Sequence, residues 1–248
     1  MTTGRRVALL AACVLVGALV AWFAAARSPA PTSGPPAGSV RLGPEPGEAV
    51  SAYLTRADAT LPPQGVPTLA LVQLADELTV AEVSAAPLTP APLTAAPRTA
   101  AQQAAAQPNA ADAPPSGAPV EAVFRVDLPR VQTALRFMPL EPGVATATAL
   151  DSARQRAASA AAADAARLTG RPKDVATAEA NALGLPDCAC VVAVVVSADG
   201  AALRRPAAGV RVVEAAPPGV TLRELALSPL LPEQTQRADP LPDDGPVP

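Results

Sequence analysis

Two periods of apolar residues divide this chain into helices and strands. Between Glu48 and Ala57, the residues Val50, Tyr53, Leu54 and Ala57 fall at i, i+3, i+4 and i+7, which predicts a helix with one buried face. Residues 68–75 (TLALVQLA) read as a strand closed by Asp76, and Thr79-Val80-Ala81-Glu82 has the capping-box form that opens a short helix. Residues 120–127 (VEAVFRVD) alternate with period two, with Val120, Ala122, Phe124 and Val126 on one side. Residues 144–168 are Ala-dominated with no internal Gly or Pro, and the helix they predict ends before Gly170, where a C-cap glycine belongs. Pro172 suits the first turn of a second helix, which Gly184 ends. The run Cys190 to Val196 (CVVAVVV) is unbroken and mostly β-branched, the mark of a central strand buried on both faces. Asp199 caps a short helix over residues 200–205, broken by Pro206, and Gly209 turns the chain into a last strand, 210–215.

In order, these elements give a helix, a β-α-β unit, a helical pair and a second β-α-β unit. Two such units in succession predict an α+β, ferredoxin-like sandwich. The helical pair of residues 144–184 would then be an insertion where that fold has a tight hairpin. An α+β sandwich with the pair as an integral part is the competing topology. Proline sharpens the boundaries, because the 31 prolines concentrate in residues 29–46, 87–119 and 217–248. Such Ala/Pro/Thr segments have little apolar surface with which to offset chain entropy. They are expected to be a tether (27–46), a disordered insertion (87–119) and an extended tail (217–248), around a domain of residues 47–216.

The longest apolar run begins at Val7 and ends at Ala26, carries no charge, and follows directly on Arg5 and Arg6. A helix of that length spans ~30 Å, the thickness of a bilayer core. The run exceeds a signal-peptide core, which favours an uncleaved transmembrane anchor. Cleavage after Ala24-Ala25-Ala26 competes, as does a lipobox-like Leu10-Ala11-Ala12-Cys13. The basic flank predicts a cytoplasmic tail of residues 1–6 and a domain outside the plasma membrane. Cys13, Gly17, Ala21 and Ala25 share one helix face and would let two anchors pack, although an Ala-rich chain produces such stripes by chance.

Composition narrows the chemistry. With 19 basic and 22 acidic residues and no basic cluster beyond the Arg pair, nucleic acid is not an expected partner. The absence of histidine excludes Ser-His-Asp and Cys-His catalysis and removes the commonest zinc ligand. There is no phosphate loop, nucleotide fingerprint, nucleophile elbow or calcium loop, so no catalytic, cofactor or metal site is expected. Asp187-Cys188-Ala189-Cys190 is the most distinctive motif. Residues two apart on a strand sit ~6.6 Å apart, near the limit for a disulfide, so a Cys188–Cys190 bridge needs a bend after Pro186. Two buried thiols, or a redox-active pair, are the alternatives. In the expected sheet, Asp76 and Asp127 at the strand ends would share an edge with Asp187 and the cysteines, where acid/base chemistry could be built. Solvated turn acids are the plainer reading. The helical pair offers Arg154, Arg156 and Arg167 on its outer side as a partner-binding surface, exposed at its centre and packed at its ends.

The segments CACVVAVVV, GVRVVEAAP, LSPLLPEQT and PDDGPVP together resemble a group of single-pass envelope proteins of high-GC Gram-positive bacteria, a group with no known activity. That resemblance implies an envelope location and brings no catalytic residue. The expected function is a membrane-anchored, non-enzymatic module that binds another envelope protein or a second copy of itself. The alternative is an envelope enzyme or redox protein using the Asp76/Asp127 edge with Cys188 and Cys190.

Overall fold

A computed structural model describes residues 39–86, 117–204 and 208–248, which lie within one compact unit, Gly38–Pro248. The expected anchor 7–26, most of the tether and nearly all of the 87–119 insertion lie outside the described residues. Among the described residues, no helix is long and apolar enough to cross a membrane.

The chain is α+β with two sheets. Its elements are β1 (Val40–Leu42), α1 (Val50–Asp58), β2 (Pro67–Leu78), α2 (Val80–Ala85), β3 (Pro119–Phe124), β4 (Arg136–Pro139), α3 (Thr146–Arg167), α4 (Arg171–Gly184), β5 (Val191–Asp199), α5 (Gly200–Leu203), β6 (Val210–Ala215) and β7 (Leu225–Leu227). The main sheet runs β4-β3-β5-β2-β6 and is antiparallel throughout, while β1 and β7 form a two-stranded parallel ribbon. The β-branched run of β5 lies at the centre, and every residue from Val191 to Val196 is fully buried. A strand apolar on both faces needs a covering layer on each.

On one face, Ala70 and Val72 of β2, Ala122 and Phe124 of β3, and Val194 and Val196 of β5 pack under α2, α3 and α4. Helix α3 presents Ala149, Ala153, Ala157 and Ala161 at four-residue spacing, all buried, and small side chains let it lie close to α4 and the sheet. On the other face, Leu71, Val123, Ala193 and Val195 are covered by the β1–β7 ribbon. Alongside, Val50, Tyr53 and Ala57 of α1 pack on Val212, Leu230 and Ala238.

The expected ferredoxin-like sandwich is corrected by these findings. The helical pair is not an insertion, because α3 and α4 supply most of the helical layer themselves. The second half has no crossing helix, since α5 is a four-residue turn capped by Asp199, whose Oδ1 accepts from the amides of Ala201 and Ala202. A fifth strand, β4, extends the sheet beyond β3, and the parallel ribbon is a separate sheet. Strands of three or four residues are too short to show a period, which is why β1, β4 and β7 left no trace in the pattern.

Other local signals hold. The Thr79/Glu82 capping box opens α2, and Pro172 sits in the first turn of α4. A bulge between Pro119 and Glu121 changes the reading of β3: Val120 packs on the second face, opposite Ala122 and Phe124.

The Pro-rich residues 217–248 are mostly extended in conformation, and they lie packed along the domain. Leu230 is fully buried, its amide donates to Gln73 Oε1 at 2.5 Å, and Arg211 donates to the carbonyls of Leu231 and Gln234 at 2.9 and 2.6 Å. Side chains of the sheet thus satisfy backbone groups that no strand partner meets. Near the end, the amide of Gly245 donates to the Arg130 carbonyl at 2.7 Å, and a Cβ at Gly245 would lie 2.2 Å from the Pro129 carbonyl oxygen.

Candidate functional site

The end of the sheet where acids and cysteines were expected to meet is organised by Arg125. This residue follows β3 and is 2 % exposed. Its Nη1 is 2.7 Å from Glu233 Oε1 and 3.5 Å from Glu77 Oε1, and its Nη2 is 3.7 Å from Asp127 Oδ1. Three carboxylates share one guanidinium, so charge is not balanced. Burial and the neighbouring acids push Glu77 upward from the ordinary carboxylate range, and burial and Glu233 do the same to Asp127. Asp76, expected here, is exposed instead, because β2 continues to Leu78 and brings Glu77 to the cluster. Among the described residues, no group of acids and cysteines is placed to hold a metal ion.

Cys188 and Cys190 are joined by a disulfide with their Cα atoms 5.3 Å apart, closer than a flat strand allows. The bridge closes just before β5 begins, where the Cys190 amide donates to the Leu78 carbonyl at 3.1 Å and its carbonyl accepts from Arg125 N at 2.8 Å. Asp187 is exposed and takes no part. The disulfide therefore sits beside the Arg125 cluster through the backbone, as a clamp on the entry to the central strand.

The three arginines of the helical pair separate. Arg154 is 3 % exposed and donates to the carbonyls of Leu183 and Leu185 at the end of α4, while its Nη2 lies 2.6 Å from Asp151 Oδ1. It ties α4 to α3 and is not available to a partner. Arg156 and Arg167 are exposed; the first donates to the Pro139 carbonyl at 2.5 Å and the second pairs with Asp164 at 2.5 Å. The expectation of an exposed centre also fails, since Ala153, Arg154, Ala157 and Ala161 are all buried there. The pattern misled because Ala reads as neutral to burial, whereas here it forms the contact face.

A different feature was missed by sequence reasoning. On the second face, a groove of about 330 Å³ runs between edge strand β4 and the segment leading into β7. Its walls are Phe137 and Pro139 on one side and Leu222, Leu225 and Leu227 on the other. Phe137 is 37 % exposed, among the most exposed large apolar side chains of the described residues. Into this groove projects Glu121, which is only 9 % exposed. Its carboxylate makes no hydrogen bond and no ion pair among the described residues, and burial alone pushes its pKa above the ordinary value. Arg223 also lines the groove but is exposed and forms no ion pair with Glu121. A second cavity of about 470 Å³, reaching Val144 and Ala149, adjoins the first and shares Pro139 and Leu222 with it.

Glu121 reads in sequence as the solvent side of an alternating strand. The two-sided apolar run of β5 was the available signal that this side is covered too. Compared with protein-family models, curated proteins and solved structures, the chain matches none.

Proposed function

We propose that this chain is a membrane-anchored interaction module of a cell envelope, non-enzymatic, which presents its folded unit outside the cytoplasm to another envelope protein. The charge-free run from Val7 to Ala26 supports the anchor. The observation that carries the interaction reading is Glu121, a largely buried residue whose carboxylate has no hydrogen bond or ion pair among the described residues and lines an apolar groove. A ligand's cationic donor would give that carboxylate the charge-assisted hydrogen bond it lacks among the described residues. Open apolar grooves with a convergent polar group are the usual form of binding sites.

The test is a photo-crosslinking residue placed at position 137 of the full-length chain in intact membranes, with position 185 as a control, since Leu185 is exposed and does not line the groove. The reading expects one discrete adduct from position 137, absent from position 185 and reproduced when the captured protein and this chain are purified and mixed. No adduct specific to position 137 would contradict it. A reporter fused after Pro248 that is active only inside the cytoplasm would contradict the proposed orientation.

A further inference from the structure

We infer that the Glu121 groove receives an extended peptide segment of the partner, with a basic side chain set between apolar ones. This deepens the interaction reading above and rests on it.

Three observations choose this occupant. The first is charge: Glu121 is 9 % exposed as a residue, and its carboxylate, with no hydrogen bond or ion pair among the described residues, opens on the groove and is complementary to an ammonium or guanidinium group. The charged groups facing it are few. Strand β4 contributes Phe137 and Pro139, the β7 side contributes Leu222, Leu225 and Leu227, and Arg223 is the sole cation among the lining residues. The second is shape, because the adjoining cavity continues the groove beyond Pro139 towards Val144, so the site is longer than one side chain. The third is the edge. Strand β4 ends the main sheet and pairs only with β3, so its outer side has no strand partner; the Pro139 carbonyl accepts from Arg156, which leaves the Phe137 end of the strand for a peptide. An extended peptide laid there puts alternate side chains on one face, one reaching Glu121 and its i±2 neighbours meeting the apolar walls.

The experiment uses the full-length chain in detergent micelles and a fluorescein-labelled, end-blocked heptapeptide with Val, Arg and Val at alternate positions and Ser between them. A second peptide replaces Arg with citrulline, which keeps the shape and removes the charge. Fluorescence polarisation is expected to show the Arg peptide binding roughly ten-fold more tightly than the citrulline peptide. Glu121→Gln should abolish that preference while leaving the melting temperature unlowered, since Glu121 has no partner to lose among the described residues. The preference surviving E121Q would overturn the inference, as would equal binding of the two peptides or no binding at about millimolar peptide.

The alternative occupants have their own signatures. An intramolecular adduct from position 137, or Arg-peptide affinity that rises when residues 89–113 are deleted, would assign the groove to the chain's own insertion. A dimer in sedimentation that F137S dissociates would assign it to a second copy. Either result overturns the peptide inference. A discrete intermolecular adduct at position 137 without any charge preference would sink this inference alone and leave the interaction reading standing.

Discussion

Glu121 and Glu214 lie in the same sheet, each largely buried, in strands at or next to its two edges, and their surroundings are opposite. Glu214 of β6 is 2 % exposed, and its Oε2 accepts from the Gly43 amide at 2.5 Å and from Tyr53 Oη at 2.9 Å. Its Oε1 accepts from Arg56 Nη1 at 2.9 Å, and Arg56 in turn holds Glu48. The chain of bonds continues through Gln73, which donates to Tyr53 Oη and accepts from Leu230 N. Burial, and then the charge of Glu214, push the Tyr53 hydroxyl far above its usual range, so Tyr53 remains a donor. Glu121 of β3 has none of this. A fully satisfied polar network specifies packing; here it locks β1, α1, β6 and the C-terminal segment together. An unsatisfied one lowers stability and is retained where something else makes use of it.

The largest effect expected from breaking this contrast is at the satisfied end. Glu214→Leu should cost about 3 kcal/mol in denaturant unfolding, because it strands the Gly43 amide, Tyr53 and one side of Arg56. A loss below about 1 kcal/mol would show that the network carries little. Arg154→Leu should cost about 2 kcal/mol, since the Leu183 and Leu185 carbonyls lose their donor at the end of α4. An unchanged denaturation midpoint would remove Arg154 from the account of how the helical pair is held.

The unsatisfied end should respond with the opposite sign. Glu121→Leu is expected to stabilise by about 1 kcal/mol at pH 7, and less at pH 4. The sign follows from the raised pKa of Glu121 in the fold. A raised carboxyl contributes stability that is present below its unfolded value and lost as pH rises through the folded value. The leucine variant escapes that loss, so the gap between the two proteins should widen with pH. Destabilisation by Glu121→Leu at pH 7 would mean that the carboxylate has a partner after all. The smallest effect belongs to Arg156→Glu, within about 0.5 kcal/mol, because Arg156 is exposed and its one bond is to a surface carbonyl.

What the sequence revealed follows the length and regularity of each signal. The apolar run 190–196, the capping box at Thr79 and the strand 210–215 were legible because each is set by local chemistry. The Cys188–Cys190 bridge was legible as a geometric option that needed a bend. The fold was misread where tertiary context decides. The sequence over residues 200–205 predicts a crossing helix where α5 is a single turn, and the pattern makes α3 and α4 an insertion although alanines are what let them fill the layer. The Pro-rich composition of residues 217–248 predicts an extended tail and hides its apolar contacts, such as that of Leu230. For the same reason the covering of the second face leaves no signal in the sequence, nor does the burial of Glu121. At the expected edge, Asp127 and Glu77 lie 3.7 and 3.5 Å from Arg125, whose amide donates to the Cys190 carbonyl, while Asp76 is exposed.

The most direct test is the titration of Glu121 itself, followed by its side-chain carboxyl carbon resonance with and without the Arg-containing heptapeptide. The account predicts a pKa above that of an ordinary glutamate in the free chain, little changed by Arg223→Gln, and a fall when the peptide binds. An ordinary or lowered value in the free chain that rises with Arg223→Gln would show that Arg223 already neutralises Glu121. In that case the groove is closed by the chain's own residues and the central claim fails.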